Sequence, residues 1–325
     1  MKHREKKIEN KLLLFLVVLL ISISIFLFIG INRSNAQYLI STRGIKLLSI
    51  ILSGTCIAVS TLIFQTVTDS RILTPSVMGL DSMYVFLQTV LIFIFKRKFP
   101  ILVESVPKFL ITTFFMVLVS VLLQSFFTNK SKGKILYMIL IGMIVGTFLD
   151  SLSNGIQMIM DPDEFLILQS SLFASYNKVN IYLLGISYGV LGLSLLWLKD
   201  DIVKLDVMSL GYSQSINLGL DYKSLLRKKL TIVGILVSVS TALVGPVMFL
   251  GLLTVNISKE ILRTYKHKNL LLSSTLLSIV FLILGQLLVE KVFNNSFPVG
   301  TIINFVGGIY LLSILLKERK VRWLK

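Results

Sequence analysis

Residues able to do chemistry are few in this sequence, and most of them stand inside long apolar runs. Within those runs the polar or ionisable side chains are Gln65, Asp81, Gln88, Asp150, Gln157, Gln286 and Asn304. An ionisable group in apolar surroundings of this length is a functional candidate by default. We interpret Asp150 as lining a water-filled cavity, although a hydrogen bond between helices explains it equally well. No run of alternating acidic residues is present to form a proton relay.

Motifs for catalysis and metal binding do not occur in the sequence. There is no G-x-x-x-x-G-K-[ST] loop for nucleotide phosphates and no H-E-x-x-H helix for zinc. The two histidines are far apart, His3 in a basic tail and His267 in a lysine-rich stretch, and the single cysteine, Cys56, lies in an apolar run. We therefore expect no enzymatic activity, no cofactor and no metal site. A pore that takes its energy from another protein fits these observations.

The elements that carry these residues are predicted to be membrane-spanning helices. The chain has 325 residues, 54% of them hydrophobic, and a mean hydropathy of +0.85. Its apolar runs are about twenty residues long, enough to cross a bilayer as helix, where every backbone group must be bonded internally. We predict one all-α domain, residues 1–325, with ten spans at about 12–31, 44–66, 76–95, 104–127, 135–157, 181–198, 229–248, 250–265, 270–292 and 299–316.

The two ends of this span assignment carry alternatives. The first run follows a basic start and could be a secretory signal cleaved near Ala36, but its length and the spans after it favour a retained helix. The eighth run is interrupted by Asn256, Lys259 and Glu260.

The charge distribution predicts the orientation. The net charge of +17 could indicate a nucleic-acid partner, but Lys and Arg lie in the short gaps between apolar runs, which is typical of topology-setting charges. With the N-terminus inside, the cytoplasmic gaps hold 24 of the 33 Lys and Arg residues, and the outer gaps hold 9. Both termini are therefore predicted to be cytoplasmic, although the cluster Lys96 to Lys98 opposes the rule. No nucleic-acid partner is expected.

A moderately polar stretch, residues 205–220, interrupts the apolar pattern with LDVMSLGYSQSINLGL. It is long enough for two short helices, and Gly211 is suited to end the first of them. The pattern alone leaves a solvated loop and a docking element for a soluble partner equally open. Elsewhere, Gly142 with Gly146 and Gly185 with Gly189 are spaced for close helix contact, and we favour static packing over a moving seam.

An amphipathic segment, residues 161–180, is too short to span a membrane. Asp161 and Pro162 mark a helix start, and Asp163 and Glu164 suit its positive end. The segment is predicted to be a lid over a pore on the outer side, or a surface helix.

Four signatures occur in series along the chain. The first is GTCIAVSTLIFQTVTDSRILTPSVMGLDSM, marked by Ala58, Ser60, Gln65, Pro75 and Gly79, and the second is LGYSQSINLGL within residues 205–220. Then come GPVMFLGLL and FPVGTIINFVGG, marked by Gly245, Pro246, Gly251, Pro298 and Gly300. Together the four resemble the signatures of the FecCD family of iron-siderophore and vitamin B12 importer permeases, in which the second is similar to the coupling segment.

The resemblance covers about 43–317, with departures that put the substrate in doubt. The family usually has Pro-His after G-L-L and Arg three residues on, where this chain has Val255, Asn256 and Lys259. Arg71 replaces a proline of the inner loop, and the last motif ends in Gly308 and Ile309 without the family's usual proline. These changes suggest a sub-branch of the family.

The resemblance implies a non-catalytic permease subunit of a type II ABC importer in the cell membrane. Its implied partners are a cytoplasmic ATPase in two copies, a second permease subunit that is identical or paralogous, and a substrate-binding lipoprotein. The implied cargo is an iron(III)-siderophore of catecholate type, with haem or cobalamin as alternatives. A secondary transporter would need ion-coupling carboxylates near broken helices, and a membrane enzyme would need converging catalytic groups; the sequence shows neither.

The resemblance also assigns roles to individual residues. In residues 205–220, apolar anchors and tight-turn glycines would dock the ATPase: Leu210, Gly211, Leu218, Gly219 and Leu220. Arg43 and Lys46, three residues apart on one helix face, would pair with acidic residues of the binding protein; the alternative is that both reach to lipid headgroups. Near the translocation path we expect Gln65, Asp150, Gln157 and Tyr176, the last on the outer amphipathic helix.

Overall fold

The computed structural model describes residues 2–29, 36–95, 105–130, 135–177 and 179–323, and within these ranges every regular element is helical. A 3₁₀ turn, Pro75–Met78, precedes the third helix, and a π-helical turn, Leu91–Phe95, extends it. The α-helices are α1 (Lys2–Phe28), α2 (Ala36–Thr68), α3 (Leu80–Val90), α4 (Ser105–Lys130), α5 (Ile135–Met158), α6 (Pro162–Leu172), α7 (Ile181–Lys199), α8 (Ile202–Met208), α9 (Tyr212–Asn217), α10 (Tyr222–Val244), α11 (Leu250–Leu262), α12 (His267–Lys291) and α13 (Val299–Trp323).

Six helices of the described chain are long and apolar enough to cross a membrane: α1, α2, α4, α5, α7 and α12. Shorter apolar helices cover Leu80–Phe95 and Val299–Ile314. The prediction of an all-α, multi-pass membrane protein is confirmed, and the count of ten spans holds only approximately.

Several of the expected spans have different bounds from those predicted, and two examples are α10 and α11. Helix α10 begins at Tyr222 rather than near residue 229, because the Asp221 side chain accepts a hydrogen bond from the Ser224 backbone N–H at 3.2 Å and caps the helix. The prediction of a full span at 250–265 is wrong, since α11 has 13 residues. At 1.5 Å per residue it is about 20 Å long, short of a hydrocarbon core of about 30 Å.

Helix α2 is the centre of the bundle and packs against α7, α10, α11 and α12. Helices in lipid gain little from the hydrophobic effect, so close van der Waals contact holds them together. Small residues provide that contact: a Cβ on Gly54 of α2 would lie 3.2 Å from Ile279 of α12, and one on Gly251 of α11 would collide with Thr61 of α2. Because glycine has no side chain, the backbones of these three helices can lie close together at Gly54 and Gly251.

The glycine pair Gly142 and Gly146 of α5 forms a seam with the residues that precede α3. A Cβ on Gly79 would lie 2.8 Å from the carbonyl oxygen of Gly142, and one on Gly142 would lie 2.9 Å from the Cα of Met78. Gly79 also has φ +78°, a conformation that costs a residue with a side chain. Gly185 and Gly189 of α7 have no atom within 4 Å of a Cβ position and take no part in packing within the described chain.

Candidate functional site

Residues 205–220, called here the coupling segment, form two short helices that meet at a sharp turn. Helix α8 ends at Met208, and Gly211, with φ +94°, precedes α9. Gly219, with φ +83°, ends the segment after α9. The buried Ser215 hydroxyl closes the turn, lying 3.0 Å from the Val207 carbonyl oxygen and 2.7 Å from that of Gly211. Two helices and a glycine turn were predicted here, and the structure confirms them.

The outer face of the coupling segment is apolar and exposed. Leu210 is 52% exposed and Leu218 is 63% exposed, with Ile216 beside them at 44%. Leu220 is half-buried. No atom lies within 4 Å of a Cβ position at Gly211 or Gly219, so their backbones are open to a partner. Exposed leucines of this kind, on a firm support, are suited to fill pockets in another protein.

One end of the coupling segment is fixed by the carboxylate of Asp201, just before α8. Its oxygens lie 2.7 Å from Lys204 Nζ and 3.0 Å from Lys229 Nζ, and Lys228 forms a third ion pair. The Lys229 side chain is fully buried. Burial alone would raise the pKa of the Asp201 carboxyl, but the hydrogen bonds from the three lysines outweigh it and hold the pKa below its ordinary value. Helix α8 is thereby attached to α10.

A second attachment joins α8 to α12 and α2. The Asp206 carboxylate accepts hydrogen bonds from the backbone N–H of His267 at 2.7 Å and from its Nδ1 at 2.6 Å. The other ring nitrogen, Nε2, lies 2.7 Å from the Thr66 hydroxyl. His267 is 3% exposed. The sequence analysis set His267 aside, and it is in fact the contact among three elements.

A cavity of about 1090 Å³ opens beside this attachment, between the ends of α2, α11, α12 and α13. The predicted path residue Gln65 lines it and is held on both sides: its amide nitrogen donates to the Arg71 carbonyl at 2.9 Å, and its oxygen accepts from Lys259 Nζ at 2.8 Å. Asn256 donates to the same carbonyl at 2.8 Å. Three positions that depart from the family signatures, Arg71, Asn256 and Lys259, therefore meet at one site.

The predicted path residues Asp150 and Gln157 lie together on α5, away from Gln65. Asp150 Oδ2 accepts a hydrogen bond from the Ser82 hydroxyl at 2.8 Å. Gln157 Nε2 lies 3.4 Å from the Thr89 hydroxyl. Both contacts join α5 to α3, which is the packing role that the sequence analysis gave as the alternative. Their place on a translocation path stays a prediction.

The prediction that Tyr176 lies on the amphipathic helix is wrong, because α6 ends at Leu172. Tyr176 is in the following loop, 1% exposed, with its hydroxyl 2.8 Å from that of Ser53. The family glycines hold this loop: a Cβ on Gly300 would lie 3.0 Å from the Cβ of Ala174, and Gly245 is equally close on the other side. The helix start predicted at Asp161 and Pro162 is confirmed.

The remaining family-motif residues mark the breaks between helices. Pro75 opens the 3₁₀ turn before Gly79. Pro246 lies in the non-helical stretch between α10 and α11, and Pro298 immediately precedes α13. Proline is suited to these places because its fixed φ fits a helix start and it has no N–H to leave unpaired.

Arg43 and Lys46 lie on α2 at the end of the bundle opposite the coupling segment. Arg43 is 7% exposed, and its guanidinium donates to the carbonyl oxygens of Leu27 at 3.1 Å and Ile29 at 2.7 Å. Lys46 Nζ lies 2.8 Å from Glu290 Oε1. Both cations thus have partners within the chain, and their docking role stays a prediction.

The sequence analysis missed Asp201, Lys229, Asp206 and His267. The sequence did contain a sign of the ion pair between Asp201 and Lys229. Lys229 is a charged residue at the start of an apolar run, and Asp201 is three residues before Lys204. The contact of Asp206 with His267 joins residues 61 positions apart, and no spacing rule predicts it.

Comparisons with known proteins agree with this arrangement. The sequence model of the FecCD transport family matches residues 11–317 of this chain. The petrobactin import system permease protein YclO of Bacillus subtilis (strain 168) is 43% identical over 312 residues, 96% of this chain and 99% of that protein. The petrobactin import system permease protein FatC of Bacillus anthracis is 30% identical, over 86% of this chain and 79% of that protein.

A solved structure has the same fold. A chain from an inward-facing metal-chelate type ABC transporter superposes with a TM-score of 0.83 at 22% identity, covering 95% of this chain and 99% of that one. The homologues are permeases, the non-catalytic membrane components of import systems. From the family match over nearly all of its length, the chain belongs to the FecCD transport family.

Proposed function

We propose that the chain is the transmembrane permease subunit of an ABC importer that brings an iron(III)-siderophore, of catecholate type, into the cell. The observation that carries the proposal is the 43% identity, over nearly the whole of both chains, to a permease named for petrobactin import. The partners proposed are two copies of a cytoplasmic ATPase, a second permease subunit, identical or paralogous, and a membrane-tethered binding protein on the outside.

The coupling segment is proposed as the surface on which the ATPase docks. Its exposed leucines, Leu210 and Leu218, offer apolar anchors, each worth about 1.5–3 kcal/mol when fully buried. The ion pairs of Asp201 and the hydrogen bonds of Asp206 hold the segment on the bundle. ATP binding would close the two ATPases, and a firmly held segment would pass that movement to the spanning helices.

The orientation proposed has both termini, and the coupling segment, in the cytoplasm. The excess of Lys and Arg in the gaps at that side supports it. After Cys56→Ser, single cysteines at Lys223 and Asn295 test it with an impermeant thiol reagent on intact cells. Labelling at Asn295 alone is expected, and labelling at Lys223 alone would reverse the orientation.

The translocation path is proposed to run near Gln65, Asp150, Gln157 and Tyr176. Gln65 has the strongest support because it lines the cavity, and Tyr176 the weakest because it is buried. Single cysteines at these positions, in the Cys56→Ser background, should react with a water-soluble thiol reagent without ATP. If none of the four cysteines is labelled, the proposal that a water-filled path runs near these residues is contradicted.

Uptake in a strain deleted for this chain tests the cargo. Complementation should restore uptake of radiolabelled iron presented as the petrobactin chelate, and vanadate should block it. Restoration of haem or cobalamin uptake instead would establish the alternative cargo. Uptake that is insensitive to vanadate but abolished by an ionophore would favour a secondary transporter.

A further inference from the structure

One imidazole joins the coupling segment to two long helices. His267 is the first residue of α12, Asp206 is in α8, and Thr66 is in the last turn of α2. Both ring nitrogens are used, Nδ1 at 2.6 Å from Asp206 Oδ1 and Nε2 at 2.7 Å from Thr66 Oγ1. His267 is 3% exposed, so loss of either partner would leave a largely buried ring nitrogen without its hydrogen bond.

The contacts on both sides of the ring continue into helix backbone. The carboxylate of Asp206 also accepts the backbone N–H of His267 at 2.7 Å, in the first turn of α12, where the helix dipole favours a negative charge. On the other side, the Thr66 hydroxyl lies 2.8 Å from the Leu62 carbonyl oxygen within α2. A carboxylate oxygen accepts, so Nδ1 donates to Asp206. On a singly protonated ring Nε2 then accepts, and the one Thr66 hydroxyl proton is shared between Nε2 and the Leu62 carbonyl oxygen. A displacement of α8 must therefore move the ring or break one of its bonds.

We propose that Asp206, His267 and Thr66 are the joint that transmits movement of the coupling segment to α2 and α12, with His267 as its positioning residue. The inference rests on the proposed ATPase docking and adds the route inside the permease. It concerns α2 in particular, the helix around which the bundle packs. The Asp201 attachment leads instead to α10 and the exposed Lys204, whereas the joint is a direct polar connection from the segment to α2.

A static brace would have the same contacts, so the test must separate stability from coupling. Two substitutions keep one bond each. In His267→Asn the amide can take the place of Nδ1 and keep the Asp206 bond, whereas in His267→Gln it can take the place of Nε2 and keep the Thr66 bond. The matched control is Lys268→Gln, a neighbouring exposed residue outside the joint.

The measurement is the number of ATP molecules hydrolysed per iron chelate delivered, in the complete importer reconstituted in proteoliposomes with its binding protein. Both His267 variants should raise this ratio about five- to tenfold, as expected for the loss of one buried hydrogen bond from a transmitted movement. Thr66→Val should do the same, and Thr66→Ser, which keeps the hydroxyl, should match the wild type. The control should also match it.

An unchanged ratio in His267→Asn, His267→Gln and Thr66→Val, with only a lower melting temperature, would overturn the joint and leave a brace. If the His267 variants do not assemble, the comparison of Thr66→Val with Thr66→Ser decides alone. Failure of the proposed function is a different result, because the wild type and Lys268→Gln would then deliver no chelate either.

Discussion

The backbone of Gly245 lies directly against that of Ala174: a Cβ at Gly245 would be 2.9 Å from both the Cα and the N of Ala174. The adjacent Ser175 N–H donates to the Val244 carbonyl oxygen at 2.9 Å. The end of α10 and the loop after α6 are therefore in direct backbone contact, and there is no room for a side chain at position 245. Gly245 also has φ +105°, which residues with a side chain rarely adopt.

Gly245→Ala should consequently destabilise the protein by about 2 kcal/mol or more, since backbone strain adds to a steric clash. The measurement is the melting temperature of the purified protein in detergent. Gly189→Ala is the matched control, because nothing lies within 4 Å of its Cβ position in a helix. Equal melting temperatures for the two variants would contradict the contact with Ala174.

Leu218→Asp should leave the permease inserted and abundant but disconnect ATP hydrolysis from transport. The side chain is 63% exposed, so the permease itself tolerates a charge there, whereas a charge buried against the ATPase without a partner is costly. Gly219→Asp should disconnect transport too, and in addition lower the melting temperature, because Gly219 has φ +83°. Leu218→Met keeps the apolar surface and serves as the control. Normal chelate uptake by both aspartate variants at wild-type abundance would remove the docking role.

Asp201→Asn should lower stability at neutral pH by about 3–5 kcal/mol, because Lys229 is left buried without its counter-charge. Lys204→Gln removes an exposed partner and should lower stability far less than Asp201→Asn does. Since the pKa of Asp201 is lowered in the folded state, its contribution is complete above the ordinary carboxyl value of about 3.9 and is lost as the pH falls through the folded value.

The melting-temperature difference between wild type and Asp201→Asn should therefore be constant from pH 7 to about pH 5, and should begin to shrink below about pH 4. A difference that grows on acidification has the wrong sign for this ion pair. In that case the carboxylate would not be the group that stabilises the lysines.

Arg43 and Lys46 provide the test of the outer docking site. Arg43→Gln with Lys46→Gln should slow association with the loaded binding protein, most strongly at low salt, because removing two positive charges from the outer end weakens the field that attracts an acidic partner. Glu290→Gln is the control, since it removes the ion pair with Lys46 but keeps both cations. If the control and the double variant slow association equally, the residues act through local structure and not by docking.

Patterns with a fixed period were predicted well from the sequence. Apolar run length placed most of the long helices, and Gly211 placed the turn in the coupling segment, because helix length and left-handed backbone are local properties. The prediction for 250–265 was wrong because an apolar run indicates a buried segment but does not distinguish burial in lipid from burial against other helices. Here the break before Leu250 and the turn at Arg263 shorten the helix from both sides.

Contacts between residues that are far apart in the chain could not be predicted from the sequence. His267 looked like one polar residue in a lysine-rich stretch, and its role depends on Asp206 and Thr66, which only the packing of three helices brings to it. Tyr176 was placed on the preceding amphipathic helix, but the helix stops at Leu172 and the ring turns inward to Ser53. Both cases depend on tertiary contacts, which no local pattern records.

The shortness of α11 has a consequence for how the chain enters the membrane during synthesis. A helix of 13 residues, with Lys259 and Glu260 in its last turns, cannot settle across a bilayer by itself. It needs a companion to cover its polar groups, and the tight turn at 263–266 delivers α12 next along the chain. We therefore expect α11 and α12 to leave the insertion machinery as a hairpin, after α2 is already in place to receive Gly251.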